Sequence, residues 1–436
     1  MTAFSPAPFR VQSIAFAFPG NPGAIPLRDL TTLTFLGDQP EWTALGRRVP
    51  AAFAGGSRPG IRVVFASLGA APAEPAKVWR IVARSKLGPG VAEQEVSLLF
   101  DQTGQTAPVE FQLDAALPEE IGQLALEWSW EASDGSTSCQ LGVTSQELLI
   151  SWKPALAPSA WLTSNEPGDG PAGQPDAVWT YTQIMQWSCS FAAGRHGEEA
   201  ICDALLSGLP DTGLQYAISA WNVHDMLQQG GGYCGGWFRM FQAMAGSQGV
   251  AIERRFIAVD WRQESADEAR WCALVVEAPG LNREKPAENP STFHDVDRHP
   301  VRTSSVERHR QRRYRFWGVP GKVFDGHCVN FLQAAGRWIL YDASFQIRAE
   351  LENFSLPPSD PRHSLPVDGL GSFKEAYLDV AVNFMLGTLE HAGKLFRTLH
   401  PDPQSPAFRA GTTRNGLTMD TALLPKRGAQ LTFYWL

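Results

Sequence analysis

Residues 230–241 of the chain read GGGYCGGWFRMF. The leading glycines allow a tight turn, and apolar residues then recur at positions 237, 238, 241, 244 and 245, which is the spacing of one helix face. This pattern predicts a helix that begins at Cys234 and ends at Gly246. A thiol at a helix N-terminus meets the positive end of the helix dipole, which favours the thiolate. The alternative is that Cys234 is a small buried core residue, as free cysteines commonly are.

A second segment, residues 326–345, reads GHCVNFLQAAGRWILYDASF and predicts a β-hairpin. If its turn is centred between Ala334 and Ala335, His327 lies directly opposite Asp342 on one face of the hairpin. A carboxylate in that position can hold an imidazole in one orientation, although a purely structural His–Asp pair has the same pattern. A one-residue slip in the turn would move the two side chains to opposite faces.

Cys328 follows His327 in the predicted strand. Neighbouring residues of a strand point to opposite faces, so the Cys328 side chain is expected to face the core, away from His327, and to be inert.

Three segments together resemble the transglutaminase-like superfamily, which includes transglutaminases, bacterial transglutaminase-like peptidases and peptide N-glycanases. They are GGYCGGW, GVAIERRFIAV and HCVNFLQAAGRWILYDASF, and the last is similar to the His, Gly-x-Trp, Asp hairpin of the family. The resemblance covers residues 215–346. The chain departs from the family pattern at Val329, where an aromatic residue often follows the histidine, and at Gly235-Gly236, where bulkier residues are common.

The resemblance implies a papain-like thiol enzyme with Cys234 as nucleophile, His327 as base and acid, and Asp342 as the residue that orients the imidazole. In such a site the thiolate attacks an amide carbonyl, the imidazolium protonates the leaving amine and a thioester remains. Water or an amine then resolves the thioester, so the activity is that of a cysteine peptidase, an amidase or a transglutaminase. We expect a peptide or protein substrate and favour hydrolysis, because nothing in the sequence identifies an amine site.

The oxyanion of the intermediate needs hydrogen-bond donors. The backbone N–H of Cys234, at the predicted helix start, can supply one of them. A second donor has to come from elsewhere, and the sequence does not choose among four upstream candidates, which are Trp221, Asn222, Gln228 and Gln229.

The N-terminal third of the chain has a different pattern. Apolar residues alternate with polar ones between Arg10 and Trp152, and this period of two predicts an antiparallel β-sandwich of seven or eight strands, Ig-like, over residues 1–155. A Pro/Gly-rich stretch at 156–176 predicts a linker. Residues 177–436 then form the predicted α+β transglutaminase-like domain. Within it, residues 372–399 are expected to be helical, and the final QLTFYWL predicts a closing strand.

Composition excludes several classes of protein. The chain has 436 residues, of which 44% are hydrophobic and 19% are charged, so it is expected to fold rather than to be disordered. Its formal net charge of −8 disfavours a broad nucleic-acid-binding surface, and we expect neither a nucleic-acid nor a membrane partner. No signal sequence or membrane-spanning stretch is evident, and the six cysteines form no Cys-x-x-Cys pair. These features favour a cytoplasmic location, with signal-independent export left open.

Residues 298–315 carry seven arginines and one glutamate. This segment could recruit an acidic partner or cover the cleft, whereas the simpler interpretation is a solvated loop. Ligand-type side chains at residues 294–299 lack the spacing of a helical metal site and have arginine neighbours. We therefore expect no metal and no cofactor.

A second functional hypothesis belongs to a different class. The chain could be a catalytically inactive transglutaminase-like binding module that uses its cleft or its Arg-rich loop to hold a partner. The reactivity of Cys234 would distinguish the two hypotheses, because an active site should make this thiol far more reactive than free cysteine.

Overall fold

The computed structural model describes most of the N-terminal half and selected segments of the rest. The described residues are 7–69, 77–156, 178–216, 220–232, 234–259, 263–265, 268–276, 315–316, 319–320, 322–324, 326–344, 347–357, 363–366, 371–373, 382–388 and 430–434. Most of the predicted linker at 156–176 lies outside these residues. The fold is mixed α and β, rich in strands, and contains several sheets.

The chain divides into two compact units. The first contains the described residues up to Ala204 together with Ala243–Val250, and the second contains Leu205–Gln242 and the described residues from Ala251 onward. The domain boundaries expected at residues 155 and 177 stay a prediction. No helix in the described segments is both long enough and apolar enough to cross a membrane.

The described residues of the first unit form twelve strands and two α-helices. The strands are β1 (Phe9–Ala15), β2 (Ala24–Ile25), β3 (Leu27–Arg28), β4 (Trp42–Thr43), β5 (Ala51–Ala54), β6 (Gly60–Ser67), β7 (Lys77–Leu87), β8 (Val91–Leu98), β9 (Val109–Gln112), β10 (Gly122–Ser133), β11 (Ser138–Ser151) and β12 (Thr180–Tyr181). The helices are α1 (Thr182–Phe191) and α2 (Glu198–Gly208), of which α2 runs past Ala204 into the second unit.

Ten of these strands form two sheets with a common core. One sheet has the order β4-β1-β6-β9 and the other the order β2-β5-β11-β10-β7-β8, and β12 pairs separately with β3. Aromatic rings pack from sheet to sheet, with Phe65 of β6 at 6.4 Å and Phe111 of β9 at 6.0 Å from Trp130 of β10. Because alternate residues of each strand face this core, the period of two in the sequence is explained.

The predicted antiparallel arrangement needs one correction. Strand β5 runs parallel to β11, whereas every other pairing within the two sheets is antiparallel. All four residues of β5 are buried, so this strand has no polar alternation from which a pairing partner could be inferred. Eight of the ten strands have four or more residues, which agrees with the predicted seven or eight. The two remaining strands, β2 and β4, have two residues each and are too short to leave a periodic pattern.

The second unit contains the elements that carry the predicted site, of which α4 runs past Gln242 into the first unit. They are β13 (Gln215–Tyr216), α3 (Val223–Gln229), β14 (Gly231–Gly232), α4 (Cys234–Ser247), β15 (Glu253–Val259), β16 (Gln263–Ser265), β17 (Glu268–Val276), β18 (Arg315–Phe316), β19 (Val319–Pro320), β20 (Lys322–Phe324), β21 (Gly326–Ala334), β22 (Arg337–Asp342), β23 (Ile347–Leu351), β24 (His363–Pro366), β25 (Val382–Thr388) and β26 (Gln430–Tyr434).

A six-stranded sheet of order β23-β22-β21-β15-β26-β24 is the main sheet of this unit. All its pairings are antiparallel. Helix α4 lies against this sheet, since the Phe241 ring of α4 is 5.3 Å from the Tyr341 ring of β22. The predicted closing strand is confirmed as β26.

The prediction of a helix over residues 372–399 is wrong at β25, which pairs with β17. Val382, Phe384 and Leu386 of β25 alternate along the chain, which is a strand period. Gly387 in the same stretch disfavours a helix. The apolar positions fit both the period of a helix and the period of a strand. Pairing with β17 determines that the segment is a strand.

Candidate active site

Helix α4 begins at Cys234, as predicted from the glycine-rich run. The preceding helix α3 ends at Gly230, whose left-handed backbone (φ 78°) turns the chain toward β14. Trp237, Phe238 and Phe241, three of the residues predicted to line the inner face of α4, are all buried. The helix ends at Ser247, one residue beyond the predicted stop.

The two glycines after Cys234 allow the chain before α3 to approach the start of α4. A Cβ atom at Gly235 would overlap the ring of Trp221, and a Cβ atom at Gly236 would lie 2.9 Å from the carbonyl oxygen of Ala220. Bulkier residues at these positions would therefore push residues 220–221 away from the nucleophile candidate. This close approach is a physical reason for glycine at both positions.

The β21–β22 hairpin forms with a different turn from the predicted one. Ala334 pairs with Arg337, so the loop consists of Ala335 and Gly336. Both residues have positive φ angles, 49° and 78°, as a two-residue type I′ hairpin loop requires. The register is therefore shifted by two residues, because the prediction did not anticipate an alanine in the left-handed region.

The shift by two leaves the predicted face unchanged. Continuing the pairing of Asn330 with Tyr341 places Asp342 opposite Val329, so His327 is a diagonal rather than a direct neighbour of Asp342. Because side chains alternate with a period of two, a two-residue shift preserves the face of every side chain. His327 and Asp342 accordingly still meet.

A short hydrogen bond joins the two side chains. Nε2 of His327 donates to Oδ2 of Asp342 at 2.8 Å, and both residues have 0% of their surface exposed. The other carboxylate oxygen, Oδ1, accepts from the backbone N–H of Ser344 at 3.0 Å. Both carboxylate oxygens of Asp342 are thus used, which holds the carboxylate and, through it, the imidazole in one orientation.

The thiol of Cys234 hydrogen-bonds to the His327 ring. Burial by itself lowers the pKa of His327, but the charge of Asp342 and the hydrogen bonds to Asp342 and Cys234 outweigh it and raise the pKa to about 10. The imidazole is therefore the protonated member of this pair.

The pKa of Cys234 lies well below its ordinary value. The largest cause is a hydrogen bond with the thiol of Cys328; burial opposes the shift, and the hydrogen bond and positive charge of His327 add to it. The backbone N–H of Cys328 also donates to the Cys234 sulfur. These contacts together stabilise a thiolate at the N-terminus of α4.

Cys328, which was expected to face the core and to be inert, is buried but interacts with Cys234. Its side chain is fully buried and shares a strand face with Asn330, as predicted from alternation. The Cys234 sulfur at the start of α4 interacts with both neighbours on β21, His327 and Cys328. Burial raises the pKa of Cys328 well above its ordinary value, and its hydrogen bond to Cys234 and the charge of Cys234 add to the effect.

Two arginines close to the sulfurs were not anticipated from the sequence. Arg239 of α4 donates to the backbone oxygens of Gly235 (3.2 Å) and Trp221 (2.5 Å), and its charge acts on both Cys234 and Cys328. Arg254 of β15 is also buried, and its charge acts on Cys328. The sequence WFRMF places Arg239 as a single charged residue between apolar neighbours, and this was the available signal that Arg239 lies close to the site.

The four candidates for the second oxyanion donor have different surroundings. The Trp221 ring packs on Gly235 beside the nucleophile candidate, and 48% of its surface is exposed. The Asn222 side chain caps α3 through two hydrogen bonds with Asp225, both of 2.8 Å, so its amide is engaged elsewhere. Gln228 and Gln229 lie exposed at the end of α3.

No group of three or more His, Cys, Asp and Glu side chains within the described ranges is arranged as a metal site. Residues 294–299 and the Arg-rich segment 298–315, apart from Arg315, lie outside the described residues. Comparison of the chain with protein-family models gives no match, and comparison with curated protein sequences gives none either.

Proposed function

We propose that the chain catalyses thiol-dependent acyl transfer from a peptide or protein amide, with Cys234 as nucleophile, His327 as base and acid, and Asp342 as the residue that orients His327. The observation that carries this proposal is the hydrogen bond from His327 to the Asp342 carboxylate together with the electrostatic interaction of the Cys234 sulfur with the same imidazole. The position of the sulfur at the N-terminus of α4 adds a favourable dipole.

The proposed reaction begins with a thiolate–imidazolium pair. The Cys234 thiolate attacks the amide carbonyl carbon, and the imidazolium of His327 protonates the departing amine. The thioester that remains is then attacked by water, from which neutral His327 removes a proton. Asp342 keeps the imidazole oriented and favours the imidazolium form.

The backbone N–H of Cys234 is the first proposed oxyanion donor, because helix N-termini present free N–H groups. Trp221 is the proposed second donor, through its indole N–H. Its contact with Gly235 supports this choice over Asn222, whose amide caps α3. Arg239 supports the position of Trp221 by binding its carbonyl oxygen.

The architecture also supports a transglutaminase-like arrangement for the second unit. A helix with the cysteine at its N-terminus covers an antiparallel sheet, and the histidine and aspartate follow on adjacent strands of that sheet. The chain order of the three residues is the order in that superfamily. We favour hydrolysis over transamidation, since the described residues around Cys234 offer no recognisable amine-binding group.

The proposal is tested with the full chain and casein as substrate, in the presence and absence of a fluorescent primary amine. Release of new amino termini or of ammonia, abolished by Cys234→Ala and retained in Cys139→Ser, supports hydrolysis. Cys139 is a suitable control because it is a buried free cysteine in the first unit. Incorporation of the amine would replace hydrolysis by transamidation as the favoured reaction.

The burial of the site favours a second candidate function, that of a catalytically inactive binding module. Cys234 is 5% exposed, and His327 and Asp342 have no exposed surface. Iodoacetamide at neutral pH distinguishes the two functions, because an active site should label Cys234 faster than free cysteine and an inactive one should not.

A further inference from the structure

The proposed site contains a second thiol for which the acyl-transfer reaction has no use. Cys328 contacts Cys234 through its own thiol and also donates its backbone N–H to the Cys234 sulfur. Cys328 lies on β21, the strand between β22 and β15 in the sheet, and its backbone pairs with Phe256 of β15. The contact is therefore made by two residues of fixed secondary structure, one at the start of a helix and one within a sheet.

The two sulfurs differ in protonation. His327 and the Cys328 thiol favour the thiolate of Cys234, whereas burial keeps Cys328 as a thiol. The charge of Arg239 acts on both sulfurs and favours negative charge at this position. A reactive thiolate thus has a protonated thiol as its immediate neighbour, which is the arrangement of a peroxide-sensitive cysteine and its resolving partner.

The other described free cysteines lack this arrangement. Cys139 donates its thiol to the carbonyl oxygen of Ala132 at 3.6 Å, and Cys189 donates to that of Ile150 at 3.4 Å. Burial raises the pKa of Cys189 to about 12 and also raises the pKa of Cys202, so both stay protonated. Among the cysteines whose side chains the structure describes, oxidation by a mild peroxide should therefore be confined to the Cys234–Cys328 pair.

We propose that Cys234 and Cys328 form a reversible modification site for peroxides, in which hydrogen peroxide converts the two thiols into an intramolecular disulfide. The Cys234 thiolate attacks one peroxide oxygen, which breaks the O–O bond, releases hydroxide and leaves Cys234 as a sulfenic acid. The Cys328 sulfur then attacks the sulfenic sulfur, the S–O bond breaks, and the hydroxyl group leaves as water with the Cys328 thiol proton. Two thiols are oxidised to one disulfide while one peroxide is reduced to two waters.

The formation of this disulfide does not depend on the proposed acyl transfer, whereas its effect on activity rests on that proposed function. The disulfide removes the nucleophile, so the oxidised chain is inactive, and a dithiol reductant restores it. Because the sulfenic acid is consumed by an adjacent thiol, further oxidation to the irreversible sulfinic acid is prevented. Cys328 thus protects the nucleophile as well as switching it off.

The test treats the full chain with hydrogen peroxide and analyses it by intact mass and by peptide mapping without reduction. The expected product has lost two hydrogen atoms, contains a peptide that links Cys234 to Cys328, and no longer labels at Cys234 with iodoacetamide. Dithiothreitol should restore the labelling. Cys139→Ser, the matched control, should behave like the wild type.

In the Cys328→Ser variant, peroxide should convert Cys234 to sulfinic acid, so that dithiothreitol no longer restores labelling. Circular dichroism identifies a variant that fails to fold, and the cross-linked peptide of the wild type tests the proposal without any variant. Sulfinic acid at Cys234 of the wild type with Cys328 still free, or full recovery of labelling in Cys328→Ser, would overturn the inference. Disulfide formation in a chain that does not process casein would contradict the acyl-transfer proposal alone.

Discussion

The Asp342→Asn substitution removes the charge that keeps His327 protonated. Asparagine has nearly the same size, and its Oδ1 can keep the hydrogen bond from the Ser344 N–H. Its Nδ2 amide would then face Nε2 of His327 as a donor, which forces Nε2 to accept. The ring is expected to become neutral, because burial lowers the pKa of His327 once the charge of Asp342 no longer opposes it.

The expected magnitude follows from the thiolate population of Cys234. A thiol with the ordinary pKa of 9.0 is about 1% ionised at pH 7, so complete loss of the shift would slow alkylation by about 100-fold. The hydrogen bond from Cys328 remains in the variant, and a thiolate of higher pKa is intrinsically more nucleophilic. We therefore expect alkylation to slow by about tenfold at pH 7.

The assay is the rate of iodoacetamide labelling of Cys234, followed by mass spectrometry from pH 5 to 10. In the variant the pH midpoint of labelling should move upward, which a general loss of packing would not produce. Glu350→Gln is the matched control. Glu350 is an exposed carboxylate on β23, the strand that pairs with β22, and it forms surface ion pairs with Arg337 and Arg348. An unchanged rate and midpoint in Asp342→Asn would refute the role of Asp342.

Three further predictions concern the helix start, the hairpin turn and pH. Gly235→Ala should displace the Trp221 ring and lower the free energy of unfolding by about 1–3 kcal/mol, measured by urea denaturation, while slowing casein turnover. Ala335→Gly should raise that free energy by about 0.5–1 kcal/mol, because glycine adopts the positive φ of 49° without the alanine penalty. The excess stability of the wild type over a Cys234→Ala, His327→Gln double variant should be constant between about pH 6.5 and 9 and fall on either side. The raised pKa of His327 contributes stability that is lost as pH rises toward 10. The lowered pKa of Cys234 contributes stability that is lost as pH falls. Between the pKa values that the two groups have in the unfolded chain, the folded and unfolded states bind equal numbers of protons, so stability does not change with pH.

Each of these predictions has a control and an opposing outcome. Gly122→Ala introduces a methyl group into open space and should leave stability near that of the wild type, and wild-type stability in Gly235→Ala would contradict the close packing of Trp221. Ala334→Gly, next to the turn but within β21, should be destabilising where Ala335→Gly is stabilising. An excess stability that rises steadily from pH 6.5 to 9 would show that Cys234 and His327 do not form an ion pair.

The local features of the site could be predicted from the sequence. The glycine run and the apolar period located the start of α4 at Cys234, because both are properties of a single segment. The common face of His327 and Asp342 was also predictable, since side-chain alternation survives a register error of two residues. The left-handed conformation of Ala335 that caused this error has no sequence signal, because alanine rarely adopts it.

Contacts between elements were decided by the tertiary structure alone. Alternation predicts that Cys328 faces away from His327, but only the tertiary structure brings both side chains into interaction with the Cys234 sulfur. The approach of Arg239 to both sulfurs has the same origin. Likewise, β25 became a strand because β17 offered it a hydrogen-bonding partner. Periodicity within a segment tells which side chains share a face, whereas the packing of a distant segment against that face determines what they contact.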